Sequence, residues 1–333
     1  MKNICIKYIK YIKKYIWIII ISIFWLIYLR VHLLNKSYKE SLIINNTDYT
    51  LETILRENKS NLDASKIPNI IWSFWDGPEK DDFLKKCEDS WKKYNPSYDI
   101  RILNKTTYKN YTNIVIEDIK HSSNSVQRYS DYIRLAILSK YGGIWIDASI
   151  ICHRSFKWIH DIQNKLNVEF IGYYLSDFTE NNYFQTSPVI ESWFFACIPN
   201  SLFVNDWKNE FFSTNNYNTI NDYLKNIEEQ KISTQKISLL NYLSIHVSCQ
   251  KVLQTNKNNK YNIYVMSACD GPFNAGCEEN SLLHDAKTII HNLTNNETYK
   301  KYHDYPFIKL TGDHKNAINS TTNIDNFFSH LYL

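Results

Sequence analysis

The stretch SDYIRLAILSKYGGIWIDAS, residues 130–149, decides how this chain folds. Ile133, Leu135, Ala136, Ile137 and Leu138 make a largely buried helix, and the glycine pair Gly142-Gly143 stops it. IWIDASIIC, residues 144–152, then reads as one strand with apolar flanks and a single carboxylate, Asp147, in its middle. A charge there is expensive to bury unless it is paired, hydrogen bonded, or at a strand end facing a site. Ligands of open α/β sheets bind beyond the carboxyl ends of strands, which makes Asp147 the first functional candidate.

Upstream, IPNIIWSFWDGP (67–78) reads as a buried strand, DDFLKKCEDSWKKYNP (81–96) as a helix ended by Asn95-Pro96, and YDIRILN (98–104) as a second strand. Strand, helix, strand is the start of a parallel sheet with a crossover helix. Downstream, FIGYYL (170–175) and ESWFFACIP (191–199) read as strands or buried segments, and NSLFVNDWKNEFFSTNN (200–216) as helical. ISLLNYLSIHVSCQKVLQ (237–254) reads as a long helix, YNIYVMSA (261–268) as a strand and CDGPFNAGC (269–277) as turns. PFIKLTGDHKNAINS (306–320) gives a short strand and a glycine turn before a polar tail. The expected fold class is α/β with a mixed, mainly parallel central sheet.

Of the 333 residues, 44% are hydrophobic and 22% charged, which fits neither a disordered chain nor a multispanning membrane protein. Net charge is +4, much of it from lysines near the N-terminus, so a nucleic-acid partner is excluded. Residues 15–29 carry no charge, and the run extends to Leu34 if Arg30 and His32 snorkel. Lys2, Lys7, Lys10, Lys13 and Lys14 precede it, and no small-residue cleavage pattern follows. The expected organisation is a cytosolic basic tail (1–14), an uncleaved membrane anchor (15–34), a stem (35–65), a lumenal or exterior catalytic domain (66–316) and a C-terminal tail (317–333). Cys87, Cys152, Cys197, Cys249, Cys269 and Cys277 then lie where disulfides are permitted, with pairing and free buried thiols both open.

Residues 130–149 resemble the signature of the glycosyltransferase family 32 clan: S-D-x-x-R, a short helix, then G-G-x-[YW]-x-D-x-D. IPNIIWSFWDGP resembles that clan's opening strand and ESWFFACIPN the segment after its acidic motif, so the resemblance runs from about residue 67 to 315, nearest the capsular polysaccharide synthesis subgroup. It implies a GT-A-like nucleotide-sugar-binding domain. The implied reaction moves a hexose from a nucleotide-sugar donor to a glycan or glycoconjugate hydroxyl with retention, in the Golgi or endoplasmic reticulum for a eukaryotic or viral chain. Such a reaction must neutralise the departing diphosphate with a divalent ion, Arg or Lys.

The resemblance also assigns roles. Asp147 would meet the donor ribose and a Mn²⁺ or Mg²⁺, with Ser149 where the clan carries a second Asp; a hydroxyl is a weaker ligand for a hard cation, so metal affinity is lower, another acid completes the shell, or the ion is dispensable, and Asp270 either supplies that oxygen or orients the acceptor, or is an ordinary turn residue. Asp131 would accept hydrogen bonds from donor-sugar hydroxyls and Arg134 would contact the sugar or diphosphate, supported by Ser130; the plain alternative is a surface ion pair at helical spacing. Trp75 would stack on the nucleotide base while Trp72 packs in the core. Gly271 belongs to a Gly-Pro turn near the donor phosphates, Glu191 is a candidate for the acceptor, and His314 is either a diphosphate contact or a surface residue. Two rival functions are a hydrolase with paired carboxylates, for which no second acid at readable spacing exists, and a non-catalytic lectin-like module.

Overall fold

A computed structural model describes residues 65–77, 82–121, 126–256, 261–273, 305–321 and 324–331. The chain divides into two units, 1–50 and 51–333, and every described residue lies in the second. The expected basic tail, anchor and, but for Ser65, stem fall outside the described residues; among those described, no helix is long and apolar enough to cross a membrane.

The first three elements follow the predicted order: strand β1 (Ile70–Phe74), helix α1 (Asp82–Tyr94) and strand β2 (Asp99–Leu103). β1 and β2 pair in parallel, as a strand pair joined by a crossover helix must. Helix α2 (Val126–Tyr141) leads through the glycine pair into β3 (Gly143–Ile146), which lies parallel to β1 on its other side. The Gly142 N–H caps the helix by donating to the Leu138 carbonyl, with φ at +63°. Gly143 has φ at +100°, and a Cβ there would stand 2.7 Å from the Ile70 carbonyl oxygen and 3.0 Å from Trp72 Nε1. Only glycine brings the helix end this close to β1.

IWIDASIIC is two strands, not one. β3 ends at Ile146, and the Asp147 N–H donates to the Trp193 carbonyl in a last rung. The Ile150 N–H closes a turn on the Asp147 carbonyl, and β4 (Ile150–Cys152) leaves the main sheet. β4 pairs instead with the late strand β8 (Phe307–Lys309), antiparallel, with Ile150 opposite Lys309. Asp147 is therefore at a strand exit, where its charge has an outlet, and not in a strand's middle.

Helix α3 (Lys157–Leu166), β5 (Phe170–Tyr174), β6 (Ile190–Cys197), helices α4 (Leu202–Phe212), α5 (Ile220–Glu229) and α6 (Ser244–Gln254), and β7 (Ile263–Ser267) complete the centre. The main sheet runs β2-β1-β3-β6-β5-β7. β5–β7 is parallel like β1–β2 and β1–β3, whereas β6 runs antiparallel to both neighbours, so the sheet is mixed and mainly parallel. Alternate strand residues serve opposite cores. Ile71, Ile144, Tyr173 and Phe194 pack with α1, α3 and the small sheet, while Trp72, Trp145, Tyr174 and Phe195 pack with α2, α4 and α6.

Two further expectations are corrected. Of the long helix over 237–254, only Ser244–Gln254 forms; Leu239 adopts φ of 49°, a left-handed conformation that interrupts helical propagation. The polar tail is helical: α7 (Gly312–Thr321) and α8 (Ile324–Leu331) bury Ile318, Phe327 and Phe328, with Phe328 edge-on to Phe83 of α1 at 5.5 Å. Cys87, Cys152, Cys197 and Cys249 are free and buried, whereas Cys269 is disulfide-bonded.

Candidate active site

Asp147 holds two cations, one on each carboxylate oxygen. Oδ1 accepts from Arg134 Nη2 at 2.9 Å and Trp145 Nε1 at 3.2 Å; Oδ2 accepts from Lys309 Nζ at 3.1 Å. Its side chain keeps 28% exposure, so this face opens to solvent. Arg134 also reaches Asp131 Oδ1 from Nη1 at 3.2 Å and Ser130 Oγ from Nη2 at 3.4 Å, and its guanidinium lies over the Trp145 ring at 4.9 Å. The three-residue spacing of Asp131 and Arg134 does put both on one helix face, but the pair is buried, 4% exposed on each side, and not a surface ion pair.

The two carboxyls are driven apart electrostatically. Burial pushes Asp131 up to about 6; Arg134, His246 and Arg128 pull it down, and Asp147 adds to the rise. For Asp147 burial also raises the value, but Lys309 and Arg134, with the hydrogen bonds from Lys309 and Trp145, more than offset it and leave the carboxyl below its ordinary value. One carboxyl therefore stays ionised in mild acid while its neighbour takes up a proton.

Of the expected metal donors, Asp147 and Ser149 meet at one ammonium. Ser149 Oγ donates to the Leu310 carbonyl at 2.7 Å and accepts from Lys309 Nζ at 3.0 Å. Lys309 thus stands between Asp147 and Ser149, the two positions from which a divalent ion would be held. Asp270 is exposed on the turn after β7, where its charge acts on Tyr174. Among the described residues no group of three or more His, Cys, Asp and Glu side chains could hold a metal ion. A donor set that presents an ammonium at its centre does not fit Mn²⁺ or Mg²⁺.

Trp72 is fully buried, donating Nε1–H to the Gly142 carbonyl at 3.0 Å, and Trp75 is partly exposed on the opposite side of β1's end. Trp75 walls a small recess with Leu84, Glu88, Trp91, Ile102 and Ala148, the residue after Asp147. Lys315 Nζ lies 4.8 Å from the Trp75 ring centre. Gly271 turns back on the Ala268 carbonyl, and the next carbonyl, of Pro272, accepts the Lys309 N–H at 2.9 Å, which brings the Gly-Pro turn beside the site. Glu191 is buried with His246, Oε2 to Nε2 at 3.1 Å. His314 is not a surface residue; it is buried at the start of α7, where Nδ1 accepts the Thr311 N–H.

Lys309 and His246 are the residues missed from sequence. Lys309 carries the same signal as Asp147, a charge within the apolar run PFIKL. His246 is a lone histidine on a buried helix, a pattern shared with ordinary core histidines.

The chain belongs to the capsular polysaccharide synthesis protein family, which it matches over residues 51–309. No curated protein matches it closely enough to be counted a relative. Among solved structures it is similar to PaToxG glycosyltransferase, at 12% identity over 88% of this chain and 94% of that one with a TM-score of 0.35. It is similar to the galactosyltransferase LgtC, solved with donor and acceptor sugar analogues, at 9% identity over 78% and 94% with a TM-score of 0.40. The ligand-free glycosyltransferase domain of the YGT toxin matches at 10% identity over 80% and 94% with a TM-score of 0.38.

Proposed function

We propose that this glycosyltransferase transfers a hexose from a nucleotide-sugar to a glycan or glycoconjugate hydroxyl, with retention, on a GT-A-like domain held to a membrane by residues 15–34. The observation that carries the proposal is Asp147 at the exit of β3, flanked by Arg134 and Lys309 on opposite oxygens. Positive charge beside a strand exit is what a sugar diphosphate requires. Trp75 is the platform assigned to the nucleotide base, because an aromatic face stacks on any base, and Ala148 ties it to the acidic turn. Asp131, ionised at neutral pH, accepts hydrogen bonds from the sugar hydroxyls as the buried pair opens to the donor.

In the transfer, the bond from the sugar anomeric carbon to the diphosphate oxygen breaks and a bond to the acceptor oxygen forms on the same face. The acceptor proton leaves on the departing diphosphate. Hydrolysis of a panel of nucleotide-sugars by the full chain and by Asp147→Ala tests this: the substitution abolishes turnover, and turnover unchanged by it overturns the site assignment.

A glycan-binding module without turnover draws on one observation: Asp131 and Arg134 are each 4% exposed and engage one another. Glycan binding with no donor consumed is the result that favours it.

A further inference from the structure

We propose that the Lys309 ammonium takes the place of a divalent cation in this site, so that Lys309 neutralises the donor diphosphate. The inference rests on the nucleotide-sugar reading above. Its basis is position: Nζ lies 3.1 Å from Asp147 Oδ2 and 3.0 Å from Ser149 Oγ, the first and third residues of the strand-exit motif. A divalent ion bound by that motif would take one oxygen from each of the same residues, so ion and ammonium compete for a single place.

The ammonium is held there by its surroundings. Its side chain is 11% exposed. Lys309 sits opposite Ile150 in the β4–β8 ladder, its N–H is fixed by the Pro272 carbonyl at 2.9 Å, and the next carbonyl, of Leu310, is fixed by Ser149 Oγ at 2.7 Å. Ser149 is matched to this arrangement. A hydroxyl binds a hard divalent ion weakly, yet it accepts well from an ammonium while donating onward, as here to Leu310. Lysine has three N–H donors; Asp147 and Ser149 take two, and the third remains for a phosphate oxygen. In the transfer Lys309 donates to the departing diphosphate, while the acceptor proton leaves with that diphosphate.

The test is calorimetric titration of the full chain with UDP and GDP, in EDTA and in Mn²⁺, alongside turnover of the matching nucleotide-sugars. The wild type binds one of the two diphosphates equally well under both conditions. Lys309→Met, which keeps the stem and removes the charge, weakens that binding by roughly 10- to 100-fold, the worth of a hydrogen bond to a charged group. Lys309→Arg restores part of it, and Lys309→Asp, which supplies a carboxylate to the motif, binds the diphosphate only with Mn²⁺. Thermal unfolding of each variant shows that it is folded. Wild-type binding that requires Mn²⁺, or a folded Lys309→Met that binds as the wild type does, overturns the role of Lys309 and leaves the transferase reading standing. A wild type that binds neither diphosphate in either condition, and turns over neither sugar, overturns the nucleotide-sugar reading and this inference with it.

Discussion

Arg134 Nη2 and Asp147 Oδ1 stand 2.9 Å apart, joining the helix before the glycine pair to the strand exit after it. Asp147 also holds Lys309, so Asp147→Asn leaves two cations facing each other with no charge between them. The variant loses nucleotide-sugar turnover by about 100-fold or more, as removal of a preorganised electrostatic group does. It also loses roughly 1–3 kcal/mol of stability in urea unfolding, less than a fully buried pair because this site is part-exposed. The folded-state value of Asp147 is depressed, so its contribution is present above the ordinary carboxyl value and fades as pH falls through the folded one. The stability gap between wild type and variant therefore closes in acid.

Asp131 behaves in the opposite sense. With its carboxyl pushed up to about 6 against an ordinary 3.8, the folded chain holds this proton more tightly than the unfolded one. The stability that protonation contributes is fully present below the ordinary value and is lost as pH rises through about 6. Asp131→Asn removes that dependence, which urea unfolding between these two pH values measures. Turnover in the wild type falls as pH drops through about 6, since the ionised carboxylate is the acceptor for sugar hydroxyls.

His246 is one of the groups that hold the Asp131 value down. His246→Asn therefore moves the acid limb of the pH-rate profile to higher pH. A limb that stays in place shows that His246 has no electrostatic reach to Asp131.

The two tryptophans of β1's end separate folding from binding. Trp72→Ala costs about 3–5 kcal/mol of stability, the usual loss for a fully buried aromatic. Trp75→Ala weakens nucleotide binding by about 1–3 kcal/mol, the worth of one stacked base, with little change in unfolding midpoint. Calorimetric titration with UDP and GDP beside thermal unfolding distinguishes the two effects.

Gly143→Ala tests the close approach of α2's end to β1. The added Cβ would stand 2.7 Å from the Ile70 carbonyl oxygen at a φ of +100°. The variant loses about 1–3 kcal/mol, from a backbone conformation that alanine disfavours and a contact that must relax. Circular dichroism melting measures it.

Local information in the sequence was enough for β1, α1, β2, α2, α4 and β7, and for the burial of β5 and β6 though not their strand form, because periods of two and 3.6 residues report which faces are buried. It was enough to single out Asp147 as a candidate, since a lone carboxylate in an apolar run demands an explanation, and to place Asp131 and Arg134 on one helix face. The break of IWIDASIIC at Asp147 was decided elsewhere: β4 pairs with β8, whose residues come far later in the chain. The same pairing sets Lys309, 162 residues from Asp147, on its carboxylate. Periodicity acts over a few neighbouring residues, whereas strand register joins segments distant in sequence, so the acid could be singled out in the sequence and its second cation, Lys309, only in the fold.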